Sequence, residues 1–328
     1  MTRIPIVLLS LLVSALAASN ALEVDDTPLP VLIWHGLGDN YAADGINDVA
    51  ALIQEINPGT FVYPIRLAED PSSDRSASFL GNTTEQISAV CADLARHPIL
   101  STAPAVDALG FSQGGLFLRA YVERCNDPPV RSLVTFGSPH NGIADYAGCG
   151  ATDWLCKGAM ALLHSNTWSR FVQSRLVPAQ YYREVDPDTG LPSEQYLENS
   201  NLLADINNER TNKNKTYSAN ISKLTNFVMY AFADDKTVIP KESSWFADVN
   251  ITTEEVTYLR DRKMYKEDWL GLRILDRKGG LVFKTAPGEH MRLSEEVLNR
   301  TFAEYFGPLK SRDSLSRHPQ QIYDNLDL

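Results

Sequence analysis

Val106-Asp107-Ala108-Leu109-Gly110-Phe111-Ser112-Gln113-Gly114-Gly115 is the stretch on which the fold reading turns. Its first six residues read as a buried strand, and a helical pattern runs on from Gly114 to Arg124. Gly-x-Ser-x-Gly at a strand-to-helix turn is the pattern of a nucleophile elbow. The turn is tight enough that its flanks tolerate little beyond glycine. It would hold the Ser112 hydroxyl above a helix N-terminus, where free N–H groups and the helix dipole favour developing negative charge. The bland alternative is a serine capping an ordinary helix.

Outward from the elbow, short apolar runs alternate with helical stretches. Val31–Trp34, Phe61–Tyr63, Leu133–Phe136, Phe227–Phe232 and Leu281–Phe283 read as further strands. Such alternation predicts an α/β fold, with a mostly parallel sheet covered by helices on both faces. Polar clusters follow the strands, where functional residues of such sheets gather. Residues 143–224 break the alternation and read as a helical cap inserted in one large domain, 22–307. The alternative is a second independent domain. The tail 308–328 is polar.

A serine at its ordinary pKa needs a base and an orienting acid, in the chain order Ser, Asp or Glu, His for this type of elbow. His290, in Pro287-Gly288-Glu289-His290 after the last strand run, is the expected base. His318 lies in the polar tail and is set aside. Asp234 and Asp235 both follow the strand ending at Phe232, and the residues alone leave the choice open. The oxyanion donors are expected to be the N–H groups of Gln113 and of Leu37, the latter in His35-Gly36-Leu37-Gly38 after the first strand.

The chain has 328 residues, 44% hydrophobic and 22% charged, with a net charge of −11. That composition excludes a disordered, collagen-like or coiled-coil protein. The acidic balance argues against a nucleic-acid partner. Arg3, the apolar run from Ile4 to Ala18 and the small residues after it form a secretory signal pattern over residues 1–21, with cleavage after Ala17, Ala18 or Ala21. No other stretch approaches 18 apolar residues, so no transmembrane anchor is expected. Passage through the secretory pathway makes disulfides expected for Cys91, Cys125, Cys149 and Cys156, which allow three connectivities. The placement of Cys91 on the apolar face of a helix over 83–94, Cys125 at the end of the next helix, and the other two in one loop favours 91–125 and 149–156. Thr83 and Gln86 read as a capping box for the first of these helices. Asn82, Asn214, Asn220, Asn250 and Asn299 stand in glycosylation sequons. No spacing suggests a metal site, and no metal or organic cofactor is expected.

Trp34-His35-Gly36-Leu37-Gly38-Asp39, Gly110 to Arg119, Leu203-Ala204-Asp205-Ile206-Asn207, Ser244-Trp245-Phe246 and Gly280-Leu281-Val282-Phe283 together resemble the lysosomal palmitoyl-protein thioesterase family. The resemblance spans about residues 30 to 307. It implies an α/β-hydrolase fold and removal of long-chain fatty acyl (palmitoyl) groups from cysteine thioesters of proteins or peptides. It implies Ser112 as nucleophile, Asp235 as acid through its register with Val238 and Pro240, and His290 as base. The same two disulfides follow, with a lysosomal or vacuolar location, or secretion, and a monomer. Two features depart from the family. Gly137-Ser138-Pro139-His140-Asn141-Gly142 reads like a lipase segment. Asn40 and Tyr41 stand where animal members carry adjacent cysteines, so no third disulfide is expected. A secreted lipase or carboxylesterase is the runner-up, and a non-catalytic lipid carrier a third reading. The insertion carries the apolar residues Trp154, Met160, Leu162, Leu163, Trp168, Phe171, Val172, Leu176 and Val177, most of which are expected to form the cap's own core and only a few to line an acyl groove.

Overall fold

A computed structural model describes residues 26–145, 163, 166–186, 189–250 and 252–309. The expected strand runs are β1 (Val31–Trp34), β2 (Val62–Pro64), β3 (Val106–Phe111), β4 (Val130–Phe136), β5 (Asn226–Phe232) and β8 (Leu281–Ala286). They form one sheet in the order β2-β1-β3-β4-β5-β8, every neighbouring pair parallel. Two short strands, β6 (Asp248–Val249) and β7 (Val256–Thr257), pair separately.

Period-two alternation in the strands divides the interior. In β1, Leu32 and Trp34 face one core with Ile87, Leu94 and Phe117. Val31 and Ile33 face the other, with Ile46, Ile53 and Phe302. The first core is covered by α3 (Thr83–Leu94) and α4 (Gln113–Arg124), the second by α1 (Asp44–Ile56) and the helix Glu295–Tyr305. All of β1, β3 and β4 is buried, which is why these strands read as continuous apolar runs. Trp34 meets Phe117 edge-on at 5.4 Å across the first core, and truncating such a ring costs about 3–5 kcal/mol.

The strand order reverses between β1 and β3, since β2 lies on one side of β1 and all later strands on the other. That switch point opens a crevice beyond the strand C-termini. Both the Gly36–Gly38 loop and the Ser112 turn emerge there.

The α3 cap differs from the capping-box expectation. Asn82 is the cap, its side chain accepting from Thr84 N, while the Thr83 hydroxyl donates to Gln180 Oε1 at 2.5 Å and Gln86 donates to Ala77 O. A residue with a tertiary partner was free to leave the local box, and asparagine caps as well as threonine does. Cys91 on α3 is bonded to Cys125 just past α4; Cys149 and Cys156 lie outside the described residues. The described part of 143–224 contributes no strand to the main sheet. It holds short helices and turns, closes on itself through the Ile143–Tyr182 bridge, and touches the rest through the bridge of Leu80 with Leu176.

Candidate active site

Ser112 joins β3 to α4 with φ 51° and ψ −125°, a left-handed conformation that costs a non-glycine residue roughly 1–3 kcal/mol. Its surroundings fix it there: Ser112 N donates to Phe136 O at 2.8 Å, and Gly115 N donates to Ser112 O at 3.1 Å. A Cβ on Gly110 would run into the backbone of Gly115, and one on Gly114 into the carbonyls of Trp34 and His35. The two flanking glycines are therefore steric requirements of the elbow.

The histidine and acid arrive on loops after β8 and β5. His290 Nε2 lies 3.0 Å from Ser112 Oγ, and its Nδ1 lies 2.7 Å from Asp235 Oδ2. With the carboxylate accepting from Nδ1–H, Nε2 is left to accept from the serine hydroxyl. The second Asp235 oxygen accepts from Thr237 N at 2.8 Å and Val238 N at 3.0 Å, so the buried carboxylate is oriented on both sides. Asp234 is exposed; its backbone N–H donates to Gly288 O and ties the acid loop to the histidine loop. The structure thus separates the two candidates left open by the residues alone.

Facing the elbow, Gly36 packs against the Ser112 side chain closely enough that an added Cβ would sit 3.3 Å from Ser112 Cβ. The Leu37 and Gln113 N–H groups donate to no acceptor among the described residues. Sequence reasoning missed what holds this loop. His35 Nε2 pairs with Asp74 Oδ2 at 3.0 Å, both buried, and Asp74 also accepts from Tyr41 N at 2.9 Å and Leu67 N at 2.6 Å. Burial alone would raise the Asp74 carboxyl; the bonds from His35, Leu67 and Tyr41 outweigh it and hold the pKa below its ordinary value. No spacing marks a partner 39 residues from His35.

Ser112 and His290 open onto a cavity of about 570 Å³, within the range of small-ligand sites. One wall is Ile143, Leu163, Pro178 and Tyr181; the other is Ile46 and Val49 of α1 with Met291, Leu293 and Leu298.

A family model described as palmitoyl protein thioesterase matches residues 30–290. Palmitoyl-protein thioesterase 1 of Caenorhabditis elegans is 36% identical over 85% of this chain and 92% of its own length. The chain belongs to the palmitoyl protein thioesterase family. Human lysosomal thioesterase PPT2 is 29% identical, over 77% of this chain and 78% of its own. Among solved structures, Est1E from Butyrivibrio proteoclasticus aligns with a TM-score of 0.42 at 13% identity, over 85% of this chain and 87% of that one.

Within this thioesterase, few of the insertion's apolar residues line the cavity and most pack into cores, in line with the sequence expectation. Leu163 lines it, but Trp168 packs against Tyr182 and Tyr196, and Val172 and Leu176 join Leu163 and Ala179 in a small core of their own. Val177 belongs to the main core and Phe171 is exposed. Trp154, Met160 and Leu162 lie outside the described residues. Part of the apolar lining comes from α1 and the segment after His290, where an amphipathic pattern shows no mark of ligand contact.

The lipase-like segment Gly137–Gly142 is structural. His140 is fully buried, stacked on Phe246 at 5.0 Å, with Nε2 at 3.0 Å from Thr135 Oγ1. Asn141 bonds to Ala247 O and accepts from Arg262, fastening the end of β4 to the segment after β5. Of the sequons, Asn214 and Asn250 are exposed, and Asn82 and Asn299 half-buried. Asn220 corrects the expectation. It is buried and its amide donates to Glu123 O at 3.2 Å, which leaves no room for a glycan in the folded thioesterase.

Proposed function

We propose that the protein removes long-chain acyl groups from S-acylated cysteines of proteins or peptides through an acyl-enzyme on Ser112. The observation that carries this reading is the continuous bond chain Asp235–His290–Ser112 at the mouth of a largely apolar cavity. His290 Nε2 takes the hydroxyl proton as Ser112 Oγ attacks the acyl carbonyl carbon. The oxyanion is held by the Leu37 and Gln113 N–H groups. The tetrahedral intermediate collapses, the C–S bond breaks, and the cysteine leaves as a thiol that takes the proton from His290 Nε2, which restores the neutral imidazole. A thiol with a pKa of about 8.5 needs little general-acid help. Water, deprotonated by the same histidine, then attacks the acyl-enzyme and releases the fatty acid. Asp235 keeps the imidazole in the required tautomer and stabilises its charged form.

The acyl chain lies between the α1 wall and the Ile143–Tyr181 wall. Each CH₂ buried in the transition state contributes about 0.8 kcal/mol, roughly fourfold in kcat/KM. Lengthening the acyl group from eight to sixteen carbons should raise kcat/KM by up to ~10⁴-fold, measured below the micelle concentration. Turnover of palmitoyl-cysteine peptide beside a triacylglycerol tests the reading against a lipase. Preference for the oxyester, or a flat chain-length profile, would overturn it.

The same reading makes residues 22–307 one domain with 143–224 as its cap, residues 1–21 a cleaved signal and 308–328 a tail. The protein works as a monomer in a lysosome or vacuole, or outside the cell. Asn82, Asn214, Asn250 and Asn299 carry glycans, and Cys149 pairs with Cys156.

A further inference from the structure

We propose that one rim of the acyl cavity is a docking surface for an anionic phospholipid bilayer. The inference rests on the reading that the protein takes long acyl chains. Leu37, Leu80 and Phe171 are 38%, 43% and 58% exposed, and a series of contacts joins them along the mouth. Leu37 lines the cavity, and the next residue, Gly38, accepts a hydrogen bond from Arg75 Nε at 2.7 Å. Phe79, four residues on from Arg75, lines the cavity beside Gly38 and leads to Leu80. Leu80 bridges to Leu176, Gly81 N donates to Arg175 O, and the Arg175 guanidinium lies 5.0 Å over the Phe171 ring. Three large apolar side chains exposed along one edge, linked to an apolar cavity, have no apolar cover among the described residues.

Charge selects the occupant. The protein carries a net charge of −11, yet the exposed charges of residues 71–80 and 166–182 are Arg75, Arg170 and Arg175 alone, because Asp74 is buried against His35. On the same rim, Asp39 is half-buried, and the exposed carboxylates are Asp48, which lines the cavity, and Asp70, which caps the helix of Arg75, so the three arginines outnumber them. A phenylalanine under an arginine beside two leucines suits the headgroup boundary of an anionic leaflet, where apolar tips enter the acyl region and guanidinium groups meet phosphates. The proposed function gains from such a seat when the acylated protein is still on its membrane. An acyl chain carried by a membrane-bound protein would otherwise cross water to reach Ser112; docking lets it pass from one apolar phase to another.

The test is flotation of the full, glycosylated protein with vesicles of phosphatidylcholine, with and without phosphatidylserine. Hydrolysis of a short-chain soluble thioester is measured in parallel. Binding should appear with phosphatidylserine and weaken in high salt. The double variant Leu80→Ser/Phe171→Ser should lose roughly tenfold or more in partitioning, and Arg170→Gln/Arg175→Gln about fivefold per charge. Both should keep the soluble turnover. Absence of wild-type binding, equal retention of the variants, or equal binding to neutral vesicles would overturn the proposal. So would a concentration-dependent dimer abolished by the double variant, which would make the patch an interface between two copies. Failure of soluble turnover in the wild type would instead sink the thioesterase reading on which the proposal stands.

Discussion

His290 and His140 make the same contact and have opposite fates. Each places Nε2 3.0 Å from a hydroxyl, Ser112 for the first and Thr135 for the second. The environments differ at the other ring nitrogen and at the surface. His290 Nδ1 is held by the Asp235 carboxylate, and the side chain keeps 13% exposure toward the cavity. His140 Nδ1 has no partner among the described residues, its ring is fully buried against Phe246, and Arg119 lies near. Burial, with the Arg119 charge added, holds the His140 pKa well below the ordinary value of 6.5. A hydroxyl–imidazole contact is therefore not enough for nucleophile activation. The imidazole must also be able to accept a charge and reach a substrate.

The largest test of that contrast is a pair of truncations. Ser112→Ala should lower turnover of an acyl thioester by several orders of magnitude, leaving only a small residual rate over water, with little change in melting temperature. Thr135→Ala should leave turnover within a few-fold and cost roughly 1–3 kcal/mol of stability, because it strands a buried imidazole nitrogen. If Thr135→Ala proved as damaging to turnover in a folded protein as Ser112→Ala, the two hydroxyls could not be assigned as they are here.

The next test is the carboxylate. Asp235→Asn presents an amide to Nδ1 and fixes the wrong tautomer, a change that costs about 10⁴-fold in serine proteases. Asp234→Asn alters an exposed side chain and keeps the backbone bond to Gly288, so its turnover should stay near wild type. A reversed order in steady-state rates would shift the acid by one residue.

A third histidine sharpens the comparison, for His35 has a carboxylate partner, Asp74, and acts through the loop it anchors. Asp74→Asn should loosen the Leu37 N–H and lower kcat by roughly tenfold, with KM little changed, since an oxyanion donor acts in the transition state. A rise in KM at constant kcat would make the pair a substrate-binding feature. The depressed pKa gives the sign with pH. The Asp74 contribution to stability is present above its ordinary value of 3.8 and is lost only as pH falls through the lower, folded-state value.

What could be read from the chain was what local pattern enforces. The β1 and β3 runs and α3 appear with the bounds their periodicity predicts, and Gly-x-Ser-x-Gly forces the elbow wherever a strand precedes it. His290 was legible as the candidate base because only it and His318 follow a plausible acid after the elbow, and His318 lies in the polar tail. The residues alone did not choose between Asp234 and Asp235; the register with Val238 and Pro240 implied by the resemblance favoured Asp235, whose side chain is the one that the Thr237 and Val238 N–H groups capture. Asp74, Gln180 and Arg262 act across separations of 39, 97 and 121 residues, and no local rule sees them. The α1 wall of the cavity escaped for another reason. Ile46 and Val49 look like any amphipathic face until the tertiary fold leaves space beside them.

The smallest expected effect concerns His140 and pH. Because its folded-state pKa lies below 6.5, the unfolded chain binds a proton there that the native ring refuses. As pH falls below 6.5 the unfolded state gains protons relative to the native one, so stability decreases. This one group contributes a slope of at most about 1.4 kcal/mol per pH unit. His140→Gln removes the term while keeping an amide for Thr135. The variant should be less stable at pH 7.5, through lost stacking on Phe246 and imperfect packing, by roughly 1–3 kcal/mol. Between pH 6.5 and 4.5 its denaturation midpoint should fall less steeply than that of the wild type, and the gap between the two proteins should narrow. Other groups titrate in both proteins alike, so the difference in slopes isolates this ring. Parallel slopes in chemical denaturation at several pH values would mean that His140 takes a proton in the folded protein, and the contrast with His290 would then rest on exposure and the carboxylate alone.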